Sequence, residues 1–532
     1  MRGITQFSGW IILLSGWRRA LMAFLAGALA TLALPPYDFF AVCLIAFPVL
    51  VWLIDGAVDT ANGGFMRRVL PSAVVGWWFG FGYFLAGLWW IGAALLVDAQ
   101  NFAWALPLAV VGLPAFLALF YALAVLIARC LWSDGLGRIF ALAFGFGVAE
   151  WLRSFVLTGF PWNAIGYAAM PTPMLMQSDG VVGLFAMNAL AVLVFAMPGL
   201  LADRRHRRAG LVLALVLVAA HVGFGFYRLH DAPTVAEEST GVRLRIVQPS
   251  IAQDMKWDDG ARRAIFDKLI ALTGTSPAPG QSKPAVIVWP ETAIPYILTR
   301  TPEALVRIGE ALSDGQVLLA GAVREEEGVP SPLYYNSIYA ISDRGEIIGA
   351  ADKEHLVPFG EYLPLEKWLR ALGLQEVVEM PGGFSAAMSR HSLKVNDHLA
   401  FLPLICYEAI FPAGLGYSGP RATAILNVTN DAWYGDTPGP YQHFRQAQLR
   451  AVEQGLPLIR AANNGLSAVV DPYGRITDGL ALDAVGIIDA SLPSPIDPFW
   501  GKPPGSVETW TVLMVLLAIS CGYAVLSRRR FD

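Results

Sequence analysis

Apolar positions along this chain follow two regimes. Up to about residue 227 they form long runs, at 18–35, 37–55, 70–96, 102–128, 138–157, 179–202 and 209–227, and one more follows at 507–527. Each approaches the roughly 20 residues that cross about 30 Å of hydrocarbon as a helix. The pattern predicts a bundle of eight helical spans, with 138–157 the weakest because Glu150 and Arg153 interrupt it. Across 228–506 the apolar runs shrink to strand length and alternate with stretches of helical spacing. Strands are expected at 242–248, 285–289, 317–322, 336–341, 346–350, 399–405 and 422–428, and helices at 261–272, 303–312 and 441–453. The Ser-Asp-Arg-Gly turn at 342–345 joins two of these strands as a hairpin. Strands alternating with helices, with no span-like interruption, read as one α/β domain.

Basic residues orient the spans. Arg18 and Arg19, Arg67 and Arg68, Arg129 and Arg138, the Arg204, Arg205, Arg207, Arg208 group and Arg528 to Arg530 mark every second loop. Such loops face the cytoplasm. Both termini are therefore expected to be cytoplasmic, with spans one to seven in 1–227, an outer-face (periplasmic) domain in 228–506, and the eighth span with a short tail in 507–532. An Ala-Leu-Ala pattern near the end of the first run imitates a signal peptide, but that run is expected to persist as a span. The setting that fits is a bacterial inner membrane.

Composition agrees with the hydropathy pattern. Only 15% of the 532 residues are charged and 55% are hydrophobic, against about 25% charged in an ordinary soluble domain. A net charge of −4 suggests no nucleic-acid partner. Four cysteines without C-x-x-C spacing argue against a zinc or redox motif, so no metal is expected. Neither a P-loop nor a G-x-G-x-x-G fingerprint occurs, and no cofactor is expected. Nothing in the chain demands more than a monomer.

Cys406 is the sole cysteine of the 228–506 stretch. A lone thiol on an oxidising face needs burial or a use. It closes the apolar run 399–405, just as Glu291 closes 286–290 and Lys353 closes 347–352. Strand ends in an α/β sheet converge on a common crevice. A carboxylate, an ammonium and a thiol there supply a base, an oxyanion partner and a nucleophile. Lys353 is expected to lower the thiol pKa, as a nearby cation does.

These residues, in Trp289-Pro-Glu291, Lys353-Glu-His-Leu-Val-Pro-Phe-Gly-Glu361 and Cys406-Tyr-Glu408, make the chain resemble the nitrilase superfamily of carbon–nitrogen hydrolases. The flanking spans, with Gln253-Asp-Met-Lys-Trp-Asp258, Leu157-Thr-Gly-Phe-Pro-Trp162, Asn430-Asp-Ala-Trp-Tyr-Gly435 and Asn463-Asn-Gly465, sharpen the resemblance to the apolipoprotein N-acyltransferases. The resemblance implies an αββα sandwich and a Glu-Lys-Cys triad of Glu291 as base, Lys353 as electrophile and Cys406 as nucleophile. It implies supporting roles for Glu361, Tyr407, Glu408 and Trp257. It also implies ping-pong transfer of an acyl chain from a phospholipid to a diacylglyceryl apolipoprotein. Nothing carries over to 366–389.

Plainer readings stand beside these. Glu361 and Glu408 could be ion-pair partners that hold Lys353, Tyr407 could fill space, and Trp257 could be core. Asn336 reads as ordinary strand polarity. Phe160 to Trp162 could be an interfacial anchor, and Glu150 and Arg153 should face other spans or snorkel. His355 and His443 leave open a Cys–His dyad. The competing functions are a membrane-tethered amidohydrolase, in which water takes the acyl group, and a non-catalytic transporter or scaffold.

Overall fold

The computed structural model describes residues 2–58, 65–234, 238–256, 260–328, 331–371, 376–377, 383–412 and 416–528. Contacts divide the chain into two compact units, one of residues 1–92, 104–231 and 499–532, the other of residues 93–103 and 232–498.

The first unit is helical. Among the described residues, five helices are long and apolar enough to cross a membrane: Val69–Leu96, Ala99–Cys130, Asp179–Ala202, Arg207–His230 and Ser506–Ser527. Phe40–Gly56 is apolar but shorter. The expected first and fifth spans correspond to helices Gly16–Ala30 and Leu136–Arg153, which do not meet the same length and composition. A further helix, Arg2–Ile12, was not expected from the apolar runs. Arg207–His230 turns Leu211, Val212, Leu215, Val216 and Phe226 outward. A face of that kind fits hydrocarbon rather than water.

Glu150 and Arg153 do not snorkel. Both side chains are buried and paired, and the Tyr121 hydroxyl donates to Glu150 Oε1 at 2.8 Å. Arg153 also donates to the carbonyl of Phe160 and, at 2.9 Å, to that of Trp162. Trp162 is itself buried, with its ring 5.0 Å from that of Trp90. The anchor reading of Phe160 to Trp162 therefore fails for Trp162, which is held inside.

The second unit contains two six-stranded sheets. Its strands are β1 (Ser239–Gln248), β2 (Val286–Ile294), β3 (Val317–Glu326), β4 (Leu333–Ser342), β5 (Ile347–Asp352), β6 (Leu393–Asn396), β7 (Leu399–Ile405), β8 (Ala424–Thr429), β9 (Leu458–Ala462), β10 (Ser467–Val470), β11 (Ile476–Leu480) and β12 (Gly486–Pro493). One sheet has the order β12-β1-β2-β3-β4-β5 and the other β11-β10-β9-β8-β7-β6. Pairing is parallel for β1/β2/β3 and for β7/β8/β9. All nine residues of β2 and all seven of β7 are buried, as expected of parallel strands covered on both faces.

Side-chain alternation builds the layers. Leu244, Ile246 and Val288 from one sheet pack with Phe401, Leu426 and Ile459 from the other. The opposite face of the first sheet, through Ile287 and Leu318, packs on α1 (Arg262–Thr273) and α2 (Pro302–Ala311). The opposite face of the second, through Leu404 and Ile425, packs on α3 (Pro438–Gln454). The result is an α/β/β/α sandwich.

Candidate active site

Glu291 reaches the site through a defect in pairing. β2 pairs with β3 up to Trp289↔Ala320 and resumes at Ile294↔Ala322, so Pro290 to Ala293 bulge out opposite Gly321 alone. A bulge re-aims a side chain at a sheet position where regular pleating would not. The fit requires glycine at 321, because a Cβ there would lie 2.3 Å from Pro290 O and 2.6 Å from Glu291 Cα. Thr292 adopts φ +42° beside it, a rare conformation for a β-branched residue.

Lys353 follows β5 directly. Its backbone N–H donates to Asn336 O at 2.8 Å, and the preceding Asp352 takes a two-pronged bond from Arg324 at 2.8 Å. Lys353 is fully buried, with Nζ 2.8 Å from Glu361 Oε1 and 3.7 Å from Glu291 Oε1. The Asn336 side-chain amide bridges the two carboxylates, donating to Glu291 Oε1 at 2.7 Å and to Glu361 Oε1 at 2.9 Å. Asn336 is thus not ordinary strand polarity. Glu361 Oε2 accepts from Val357 N at 2.8 Å, and Glu291 Oε2 accepts from Asn430 N at 2.9 Å.

Cys406 ends β7 at φ +51° and opens a short 3-10 turn, Cys406–Ile410. That strain, of order 1–3 kcal/mol, is held by its surroundings. Glu408 Oε2 accepts from Ile405 N at 2.7 Å. Its Oε1 accepts from Glu354 N at 3.0 Å, His355 N at 3.2 Å and Arg390 at 2.7 Å. Glu408 therefore fastens the Cys406 turn to the segment that carries Lys353. Tyr407 is buried against the rings of Phe411 and His355.

His443 approaches the backbone of Cys406. Its Nε2 lies 3.0 Å from Cys406 O and its Nδ1 2.9 Å from Asp431 Oδ1. A carbonyl only accepts, so Nε2 carries the proton. Burial, then Arg460, holds the imidazole below its ordinary pKa. His355 stacks on Phe411 at 4.0 Å. His443 thus contacts Asp431 and the main chain of Cys406.

Burial dominates the thiol. It pushes the Cys406 pKa up to about 12, Glu291 adds to the rise, and Lys353 only partly offsets it. The expected net lowering by Lys353 is thus corrected, because desolvation of a fully buried thiolate outweighs one cation. For Lys353, burial opposes the charge, but Glu361, Glu291 and Cys406 outweigh it and hold the pKa above the ordinary lysine value. The resting arrangement is a neutral thiol beside a carboxylate and a firmly charged ammonium. It is suited to proton transfer in step with nucleophilic attack.

Of the residues expected from sequence, Glu291, Lys353, Cys406, Glu361, Tyr407 and Glu408 are buried and interconnected around the ends of β2, β5 and β7. Trp257 lies outside the described residues. Sequence reasoning missed Asn336 and Lys256, whose Nζ donates to Glu291 O at 3.0 Å. Polarity at the centre of an apolar strand (Asn336) was the available signal for the first. Its place in the Gln253-Asp-Met-Lys-Trp-Asp258 motif was the signal for the second.

Two family descriptions match the chain: "Carbon-nitrogen hydrolase" over residues 243–496 and "Apolipoprotein N-acyltransferase N-terminal domain" over residues 26–197. A Brucella suis protein named apolipoprotein N-acyltransferase is 68% identical over 99% of this chain and 100% of its own length. One of the same name from Sinorhizobium fredii is 58% identical over 98% of each chain. Among solved structures, a Saccharomyces cerevisiae member of branch 10 of the nitrilase superfamily aligns at 17% identity over 49% of this chain and 93% of its own, with a TM-score of 0.34.

Proposed function

Since the chain belongs to the apolipoprotein N-acyltransferase family, we propose that it moves an acyl chain from a membrane phospholipid to an apolipoprotein by way of Cys406. The observation that carries this reading is the convergence on Cys406 of a buried carboxylate and a buried ammonium, Glu291 and Lys353, 3.7 Å apart. Cys406 Sγ attacks the sn-1 ester carbonyl as Glu291 takes the thiol proton. Lys353 faces the developing oxyanion. Glu291 returns the proton to the departing lysophospholipid oxygen, leaving a thioester. The α-amine of the acceptor's diacylglyceryl cysteine then attacks that thioester, Glu291 takes the amine proton, and Cys406 is released as a thiol. Glu361 and Asn336 hold Lys353 and Glu291, and Glu408 holds the nucleophile turn. For Trp257 a role in acyl binding rests on the family resemblance alone.

The same reading carries eight spans, with both termini cytoplasmic, in a bacterial inner membrane. Spans one to seven lie in 1–227, the catalytic domain in 228–506 is periplasmic, and the last span and tail occupy 507–532. The protein acts as a monomer.

Detergent-solubilised protein incubated with acyl-labelled phospholipid should acquire a hydroxylamine-labile label that chases onto a diacylglyceryl-cysteine peptide. Cys406→Ala should acquire none. Label retained by Cys406→Ala refutes the assignment. Label released as free fatty acid in the presence of the peptide points instead to a tethered hydrolase.

A further inference from the structure

Lys256 has no role in the mechanism above, yet it is 5% exposed and buried at the site. Its Nζ donates to the carbonyl of Glu291, in the β2 bulge, at 3.0 Å. The segment that carries it is fastened to Glu291 by a second route. Lys256 N bonds Gln253 O at 3.3 Å, Gln253 Oε1 accepts from the Asn430 amide at 2.6 Å, and Asn430 N donates to Glu291 Oε2 at 2.9 Å. Asn463 braces the chain, donating to Asn430 Oδ1 at 3.0 Å and to Ile251 O at 2.7 Å.

The charges around the thiol make the position significant. Glu408 shares Arg390 with the part-exposed, water-screened Glu354, and Asp431 is neutralised by Arg460. That leaves the carboxylates of Glu291 and Glu361 against the ammonium of Lys353. With Lys256 the buried set is neutral; without it, one negative charge remains uncompensated where a thiolate or an oxyanion must form. In a desolvated site such an imbalance raises the barrier.

We infer that Lys256 is a positioning residue for acylation, fixing the Glu291 bulge and balancing the charge of the site while negative charge develops at Cys406. This rests on the acyl-enzyme reading above. Among the described residues, the ionisable groups acting on Lys256 are Glu291 from β2 and Cys406 at the end of β7. Burial lowers its pKa to about 8, with those two groups partly opposing the drop. Lys353 is held above its ordinary value and Cys406 is pushed up to about 12, so neither titrates in that window. Acylation should therefore be fast below about pH 8 and fall as Lys256 loses its proton.

The test is single-turnover thioester formation with labelled phospholipid across pH 6 to 10, on the full-length protein in detergent. Lys256→Gln should slow acylation on the order of 10–100-fold, abolish the alkaline limb and leave the KM for phospholipid unchanged. Lys256→Arg keeps a charge at every pH and should shift the limb upward. Wild-type rates in Lys256→Gln overturn the inference, as does an unshifted limb in a folded Lys256→Arg. If Lys256→Arg fails to fold, Lys256→Gln decides alone. Wild-type protein that forms no thioester defeats the acyl-enzyme reading itself, a different outcome from wild-type labelling that Lys256→Gln matches.

Discussion

Gly321→Ala offers a way to move the base without touching any reacting group. The added methyl would sit 2.3 Å from Pro290 O, 2.6 Å from Glu291 Cα and 2.7 Å from Thr292 N. Comfortable contact between carbons needs about 3.5–4.0 Å, so the overlap is roughly 1 Å and every offended atom is backbone. No rotamer change relieves it; the bulge must shift. Overpacking of this kind costs about 1–3 kcal/mol. Misplacing a catalytic group by about 1 Å costs on the order of 100-fold in rate. Single-turnover thioester formation should therefore fall about 100-fold, while a thermal unfolding scan shows a modestly lowered midpoint. Gly486→Ala, on β12 of the same sheet, is the matched control, because its methyl would meet only Leu480 carbons, at 3.7 and 3.8 Å. A Gly321→Ala protein with the wild-type rate would refute the account of how Glu291 is aimed. So would an equal loss in Gly486→Ala.

Further outcomes can be measured alongside. Asn336→Asp places a third carboxylate between Glu291 and Glu361 and should abolish thioester formation, whereas Asn336→Ala should reduce it roughly 10-fold; equal rates for the two would sink the bridging role. Glu408→Gln, losing its charge beside buried Arg390, should destabilise the domain by about 3 kcal/mol, and a double variant with Arg390→Met should cost less than the sum of the two single changes. Peptide mapping after iodoacetamide treatment at pH 8 without substrate should show Cys406 modified at least about 100-fold more slowly than free cysteine, because a pKa of about 12 leaves little thiolate. Burial opposes ionisation of Asp431, but Arg460 and His443 outweigh it and hold its pKa at about 2. Its contribution, about 2 kcal/mol, is complete above the ordinary carboxylate range and disappears as pH falls through about 2. Asp431→Asn should flatten that part of an acid-unfolding curve.

Strands β2 and β7, and two of the three reacting residues, were legible in the sequence for one reason. β7 and the first five residues of β2 are apolar, and Glu291 and Cys406 are the polar residues that interrupt or follow those runs. β9 was not legible because Arg460 stands at its centre. Only in three dimensions does that charge meet Asp431 at 2.8 Å and become compatible with burial. β10 has four residues and β6 has four, too few for any periodicity. Glu408 looked like a catalytic candidate by adjacency to Cys406, and only its bonds to Ile405, Glu354 and His355 separate fastening from chemistry. Lys256 stayed hidden because a lysine beside a tryptophan gives no sign of which carbonyl its ammonium will find. The span count rests on a similar difficulty: Leu136–Arg153 is a buried helix whose charged residues pair within the bundle, so composition understates how apolar its surroundings are.

Arg153 bonds the main-chain oxygens of Phe160 and Trp162 rather than their side chains. Toward this loop the guanidinium meets only carbonyls, and such a contact is indifferent to residue type. Trp162 is fixed by its packing against Trp90, and the half-buried Phe160 ring stacks on Trp162 at 6.1 Å, so an aromatic ring at 160 serves that stack and not the hydrogen bond. Exchanging one ring for another at 160 keeps both the backbone path and the stack on Trp162, whereas an aliphatic residue there keeps the path and loses the stack. The loop thus separates what holds its main chain from what holds its rings.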